Sequence, residues 1–302
     1  TPTPTPTPLP TPTPTPPPLA HCYRPRPEPS PTGAETPPGV LRPAGPGSLF
    51  QSCQVVSFYG YPGEPRMGVL GTGEPEEVVP KLLEQAAAYD AVNGSRAVAP
   101  ALHLIYAVAQ GDPGPDGTYL ARMPDETVRR YLAVAEQHEL LVFLDIQLGH
   151  STVDAELPHV LGYLEQPRVH LALDPEFATG PDHAPGTVIG GIDAAEINRA
   201  QETLQRLVEE HRLPDKILIV HQFVPSMIRN KGEIQDFPNV DLVIDQDGFG
   251  LSSQKVANYD QFVRADGAEH GGFKLFYTQD TDLMAPEQVV ALTPQPDVVI
   301  YQ

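Results

Sequence analysis

The chain has 302 residues, 40% of them apolar, and a formal net charge of −20 at pH 7. With 19 Lys and Arg scattered among 39 Asp and Glu there is no basic stripe, so a nucleic-acid phosphate backbone is repelled and nucleic-acid binding is excluded. No apolar run approaches the ~20 residues that span a bilayer, so no transmembrane segment is expected.

Residues 1–18 are almost pure Thr-Pro alternation. Each proline fixes φ and deletes an amide donor, which rules out helix and sheet and leaves an extended polyproline II rod of about 55 Å at ~3.1 Å per residue. Threonines flanked by prolines are the composition of O-glycosylated stalks, making Thr1, Thr3, Thr5, Thr7, Thr11, Thr13 and Thr15 candidate acceptors. Residues 19–51 stay rich in proline and glycine and read as linker. A start at Thr1 rather than Met is expected of a processed, exported precursor. The only two cysteines, Cys22 and Cys53, are expected to form a disulfide that pins the linker to the barrel in an oxidising compartment.

From residue 52 the pattern changes to short apolar runs alternating with amphipathic segments. The strand candidates are 55–59, 101–107, 140–145, 169–174, 217–221, 240–245, 273–277 and 298–301, nearly continuous apolar runs as expected of parallel strands buried on both faces. Between them, Pro124-Asp125-Glu126 opens a helix with Val128, Tyr131, Leu132 and Ala135 on one face. Asp193-Ala-Ala-Glu196 is a capping-box start, and a third helix follows Ser252-Ser253 with Val256, Tyr259 and Phe262 inward. Eight strands with helical crossovers predict a (β/α)8 TIM barrel over 52–302, behind an extended Thr-Pro-rich tail. No helix follows the last strand, which leaves its covering to a neighbour or to the linker.

In such a barrel the site lies at the carboxyl ends of the strands. Those ends read Asp145-Ile-Gln147, Asp174-Pro-Glu176, His221-Gln222, Asp245-Gln-Asp247, Tyr277-Thr-Gln-Asp280 and Tyr301-Gln302. With a side-chain period of two, Asp174 and Glu176 share a face, so one carboxylate can stay charged while the other's pKa rises. Glycoside hydrolysis needs that division of labour. On this reading Glu176 is the proton donor and Asp174 its charged partner, with Asp145, Asp245 or Asp247 as nucleophile, base or sugar ligand. Substrate-binding candidates are Tyr59, Tyr61, Gln147, His221, Gln222, Asp247, Tyr277, Asp280 and Tyr301. Without any tryptophan, Tyr59, Tyr61, Phe249, Tyr277 and Tyr301 are the expected aromatic platforms.

The Asp174-Pro-Glu176 unit resembles the catalytic strand of chitinase-like and lysozyme-like glycoside hydrolase barrels, whose acid is the Glu; Ala172 stands where the chitinase-like pattern has another Asp. A closer resemblance covers nearly the whole barrel. Phe58-Tyr-Gly-Tyr-Pro-Gly63, Leu173-Asp-Pro-Glu-Phe177, Val220-His-Gln-Phe223, Val243-Ile-Asp-Gln-Asp-Gly-Phe-Gly250, Lys274-Leu-Phe-Tyr277 and Val299-Ile-Tyr-Gln302 look like an uncharacterised family of bacterial secreted or lipid-anchored proteins. That resemblance implies export and the fold, and carries no activity.

No cofactor motif is present. His150, His159, His170, His183 and His221 lack the spacing of a zinc site, so no metal is expected. Residues 60–73 form a glycine-rich first loop without a phosphate-loop ending, and 177–192 a long loop placed to act as a lid. Asn93-Gly-Ser95 is a lone N-glycosylation sequon. Two functions stand side by side: a secreted, glycan-active barrel on an O-glycosylated stalk, or a structural subunit of an extracellular fibre whose Thr-Pro tail mediates homopolymer assembly.

Overall fold

The computed structural model describes Cys22 and residues 47–302; the Thr-Pro segment with its candidate acceptors and the remainder of the linker lie outside the described residues. Eight parallel strands form the barrel: β1 (Cys53–Gly60), β2 (Ala97–Ala109), β3 (Leu141–Ile146), β4 (Val169–Leu173), β5 (Lys216–Gln222), β6 (Val240–Gln246), β7 (His270–Leu275) and β8 (Val298–Tyr301). Each pairs in parallel with its sequence neighbours, and β1 pairs with both β2 and β8, which closes the ring. The predicted TIM barrel is therefore present as a closed, eight-stranded parallel sheet.

Six α-helices surround it among the described residues: α1 (Pro75–Asp90), α2 (Asp125–Gln137), α3 (Val153–Leu164), α4 (Ala194–His211), α5 (Ser252–Tyr259) and α6 (Pro286–Val290). The α4 start carries the expected capping box, with Asp193 accepting from Ala195 and Glu196 reaching back to the Asp193 amide. The α2 stripe is buried as its periodicity requires. The crossover from β5 to β6 departs from the pattern: Pro225, Gly232 and Pro238 break it into short turns, Pro225–Met227 and Lys231–Glu233, in place of a helix.

Strand alternation divides the apolar residues into two layers. Outward side chains pack under the helices, whereas inward ones such as Val55, Ala101, Phe143, Ala172, Ile219, Val243 and Ile300 fill the barrel. Two expectations change here. The seventh strand spans 270–275 rather than 273–277 and begins His270-Gly271-Gly272. A Cβ at Gly271 would fall 2.3 Å from the Tyr259 hydroxyl and one at Gly272 2.7 Å from Asp245 Oδ1, so the glycines mark close approach and not a turn. The last strand also needs no neighbouring chain to cover it. Its Tyr301 is buried against α1, where the hydroxyl meets those of Tyr89 (2.9 Å) and the Gln85 amide (3.2 Å).

The end of the linker closes the amino end of the barrel instead. Leu49 and Phe50 join the interior cluster, Ser48 donates to Asp241 (2.7 Å), and Phe50 packs on His270 with ring centroids 4.7 Å apart. Cys22 is bonded to Cys53 as expected (S–S 1.97 Å), tying the linker to β1. Among the described residues no helix is long and apolar enough to cross a membrane.

Candidate active site at the carboxyl end of the barrel

At the opposite end the strands open into a cavity of about 460 Å³. Its floor is set by strand alternation: Tyr59, Gln147, Asp174, Asp247, Lys274 and Gln302 all project inward from their strand ends. Its walls come from the loops that follow, with Arg66 and Met67 after β1, Phe177 after β4, Phe223 after β5, Phe249 after β6 and Phe276 after β7. The first loop is ordered by the turns Pro65–Met67 and Val69–Gly71.

Asp174 continues the inward set of β4 into the cavity, whereas Glu176 reaches it off the strand path. β4 ends at Leu173, Asp174 caps the short 3₁₀ turn Pro175–Phe177, and its Oδ1 accepts from the Glu176 amide at 3.0 Å. Proline at 175 forces that turn and aims Glu176 into the cavity wall. Burial, reinforced by the charges of Asp145 and Asp247 and opposed by His221, pushes the Asp174 carboxyl well above its ordinary pKa. Glu176 is raised too, first by burial and then by Asp247. Asp247 lies in a contrasting setting, with Lys274 Nζ 2.7 Å from its carboxylate. Burial works to lower the Lys274 pKa, yet Asp247 and Asp245 outweigh it and hold the ammonium charged. That ammonium sits 3.9 Å from the Tyr59 ring centroid, so aromatic face and carboxylate share one cation.

Asp145 and Asp245 lie below this floor, fully buried, and do not line the cavity. They grip His221 from both sides, Nε2 at 3.1 Å from Asp145 and Nδ1 at 2.9 Å from Asp245. Burial opposes a charged imidazole, but the carboxylates of Asp145 and Asp247 prevail and raise the His221 pKa well above its ordinary value. Burial likewise works against Asp145, whose contacts with His221 and His103 hold it far below the usual carboxylate range. His103 is the fourth member of this layer, 3.4 Å from Asp145 through Nε2, with its own pKa lowered by burial.

Of the substrate-binding candidates, Tyr59, Gln147 and Asp247 line the cavity and His221 lies beneath it. Gln222 points to the outer layer, where it accepts from Lys231 (2.7 Å). Asp280 is buried by Lys255 (2.7 Å) and the Gly250 and Phe276 amides. Tyr277 and Tyr301 stack on each other outside the barrel, and Tyr61 is half-buried between the two core layers. The aromatic platform is thus Tyr59 and Phe249 joined by Phe177, Phe223 and Phe276. His103, Lys274 and Phe276 are not among the residues expected from the sequence, although a lone His or Lys inside an apolar strand is a signal in itself. Asn93 of the sequon is buried, its amide donating to the Arg96 carbonyl (3.2 Å).

Among the described residues, three groups bring metal-ligating atoms within 4.8 Å of one another: His103, Asp145 and His221; His221, Asp245 and Asp247; and, at the amino end, Asp241, Glu269 and His270.

No protein-family model matches the chain, and no curated protein sequence matches it. Among solved structures it is similar to a ruminal GH26 endo-β-1,4-mannanase, with 10% identity and TM-score 0.40 over 83% of this chain and 59% of that one. It is similar also to a GH18 chitinase from Pseudoalteromonas aurantia (11%, TM-score 0.40, 82% and 93% of the two chains) and to a GH5 family lichenase from Caldicellulosiruptor sp. F32 (8%, 0.37, 72% and 74%).

Proposed function

We propose that the barrel is a secreted, glycan-active hydrolase of the carboxylate acid–base type. The observation that carries this reading is the pair Glu176 and Asp247: two carboxyl groups in one aromatic-walled cavity, one raised by burial and the other paired with a lysine. Two carboxyl groups in such unlike settings can divide into proton donor and partner. Glu176 keeps its proton for the leaving glycosidic oxygen. Asp247, ion-paired with Lys274 at 2.7 Å, takes the base or nucleophile role on the other side of β5. Asp174, kept neutral by burial, fixes Glu176 through its amide and has a hydroxyl free to donate to a sugar oxygen. Asp145 and Asp245 act through His221 as positioning residues, and Phe249 and its neighbours offer faces for sugar rings.

The Cys22–Cys53 disulfide supports an oxidising, extracellular location. The fibre alternative depends on residues 1–18, which lie outside the described residues. The test is a screen of the full chain against peptidoglycan, chitin and plant and microbial polysaccharides beside Glu176→Gln. Release of reducing ends by the wild type alone is expected. Activity that survives in Glu176→Gln would remove this residue from the chemistry.

A further inference from the structure

His103 stands on the inner face of β2 between Ala101 and Ile105, fully buried, and neither of its ring nitrogens makes a hydrogen bond. A neutral imidazole carries one donor and one acceptor, and leaving both unused in the interior is costly. The ring is aimed at a ready set of ligand atoms. Its Nε2 is 3.4 Å from Asp145 Oδ2, and the same oxygen is 3.1 Å from His221 Nε2. Four ligands held about 2.0–2.1 Å from a tetrahedral ion are separated by about 3.3 Å, and both measured edges fit that figure.

The surroundings agree. The second nitrogen of His221 lies 2.9 Å from Asp245, the arrangement by which a carboxylate orients a metal-binding imidazole. Asp145 Oδ1 and Asp245 Oδ1 are buried without hydrogen-bond partners. The carboxylates of Asp145, Asp245 and Asp247 surround His221, with Lys274 paired to Asp247; even with a protonated imidazole they outnumber the cations by one, a shortfall that a divalent ion taking the place of the His221 proton removes. The group at the amino end is different: Ser48 donates to Asp241 and Asp297 holds His270 Nδ1, which leaves His270 Nε2 as its one ring nitrogen without a hydrogen bond, whereas both nitrogens of His103 lack one.

We propose that His103, His221 and Asp145 hold one divalent transition-metal ion of the zinc type, through the two Nε2 atoms and a carboxylate oxygen, with Asp245 orienting His221. Two imidazoles and one carboxylate favour zinc, cobalt or nickel over the all-oxygen shells of calcium and magnesium. The ion sits one layer below Tyr59, whose ring packs 5.0 Å from His103 and 6.0 Å from His221. This goes beyond the hydrolase reading and does not rest on it, since binding is measured without a sugar.

The experiment uses the full chain, produced without a histidine tag and stripped with chelator. It is titrated with Zn2+, Co2+, Ca2+ and Mg2+ by calorimetry and followed by thermal melting. One Zn2+ per chain is expected, with a rise in Tm and a visible tetrahedral d–d spectrum for Co2+. His103→Gln should weaken Zn2+ binding by about 100-fold or more, and Asp241→Asn, at the other end of the barrel, should leave it unchanged. If His103→Gln does not fold, the wild-type Co2+ spectrum and Asp145→Asn decide. Failure of the wild-type chain to bind Zn2+ or Co2+, an octahedral Co2+ spectrum, or equal affinity in a folded His103→Gln would overturn the proposal.

Discussion

Each end of the barrel buries a histidine between two aspartates, and the two clusters are put to different use. At the amino end His270 Nδ1 meets Asp297 at 2.8 Å, Asp297 is also held by Arg96 at 2.7 Å, and Asp241 takes the Ser48 hydroxyl at 2.7 Å. Leu49 and Phe50 then seal the cluster under apolar cover. At the carboxyl end His221 is gripped as firmly, but Asp145 and Asp245 keep unpartnered oxygens and the layer above opens into a cavity. The same residue types lie sealed under an apolar plug at one end, where only His270 Nε2 lacks a hydrogen bond within the histidine–aspartate cluster, and beneath an open cavity with several unpartnered atoms at the other.

Substitutions at the two ends should separate activity from stability. The largest effect is expected at the mouth, where Glu176→Gln should cut turnover about 10²- to 10⁴-fold with little change in Tm. As a general acid Glu176 must be protonated, so wild-type kcat/KM should fall as pH rises through its raised pKa. That limb should lie above the ordinary glutamate range and vanish in the variant, as measured by kcat/KM across pH. A limb at the usual glutamate value would contradict the buried setting.

At the sealed end the reverse is expected. Burial alone would lower the His270 pKa, but Asp241 and Asp297 outweigh it and raise it to about 10. A histidine raised from ~6.5 contributes stability that is full below the unfolded value and is lost as pH climbs through the folded one. His270→Gln should therefore cost about 3–5 kcal/mol near pH 6, where it leaves two buried aspartates short of a cation, and progressively less toward pH 10. Urea unfolding across that range gives the comparison, with kcat of the folded fraction unchanged.

Cys22→Ser removes the tie that holds the plug. For a closed loop of 31 residues the chain-entropy estimate is about 3–4 kcal/mol, read as a lower urea midpoint and easier proteolysis before residue 53. The smallest effect is expected at the rim. Phe249 is 68% exposed, so Phe249→Ala should leave stability within about 0.5 kcal/mol while raising KM by the ~0.5–1.5 kcal/mol of one ring contact. An unchanged KM would take Phe249 out of the sugar platform.

Much of this was legible in the residues themselves. Eight apolar runs, the capping box at Asp193 and the α2 stripe are local signals, set by period and cap chemistry, and they led to the barrel and to its acidic end. Alternation carries further information. Applied to every strand, it turns His221 in and Gln222 out on β5, and Asp245 and Asp247 in on β6. On β7 it turns Lys274 in, continued past the strand's end it turns Phe276 in and Tyr277 out, and on β8 it turns Tyr301 out. It also places His103 inside on β2. Other features depended on chain closure and could not be read in one dimension. The turn at Pro175 carries Glu176 off the strand path, and the linker's end plugs the barrel rather than covering its last strand. The partners of each carboxylate come from strands far apart in sequence, such as Asp145 with His221 and Asp247 with Lys274. Strand period fixes which way a side chain points; only the closed ring decides which other charge it meets, and that meeting sets protonation and with it the chemistry.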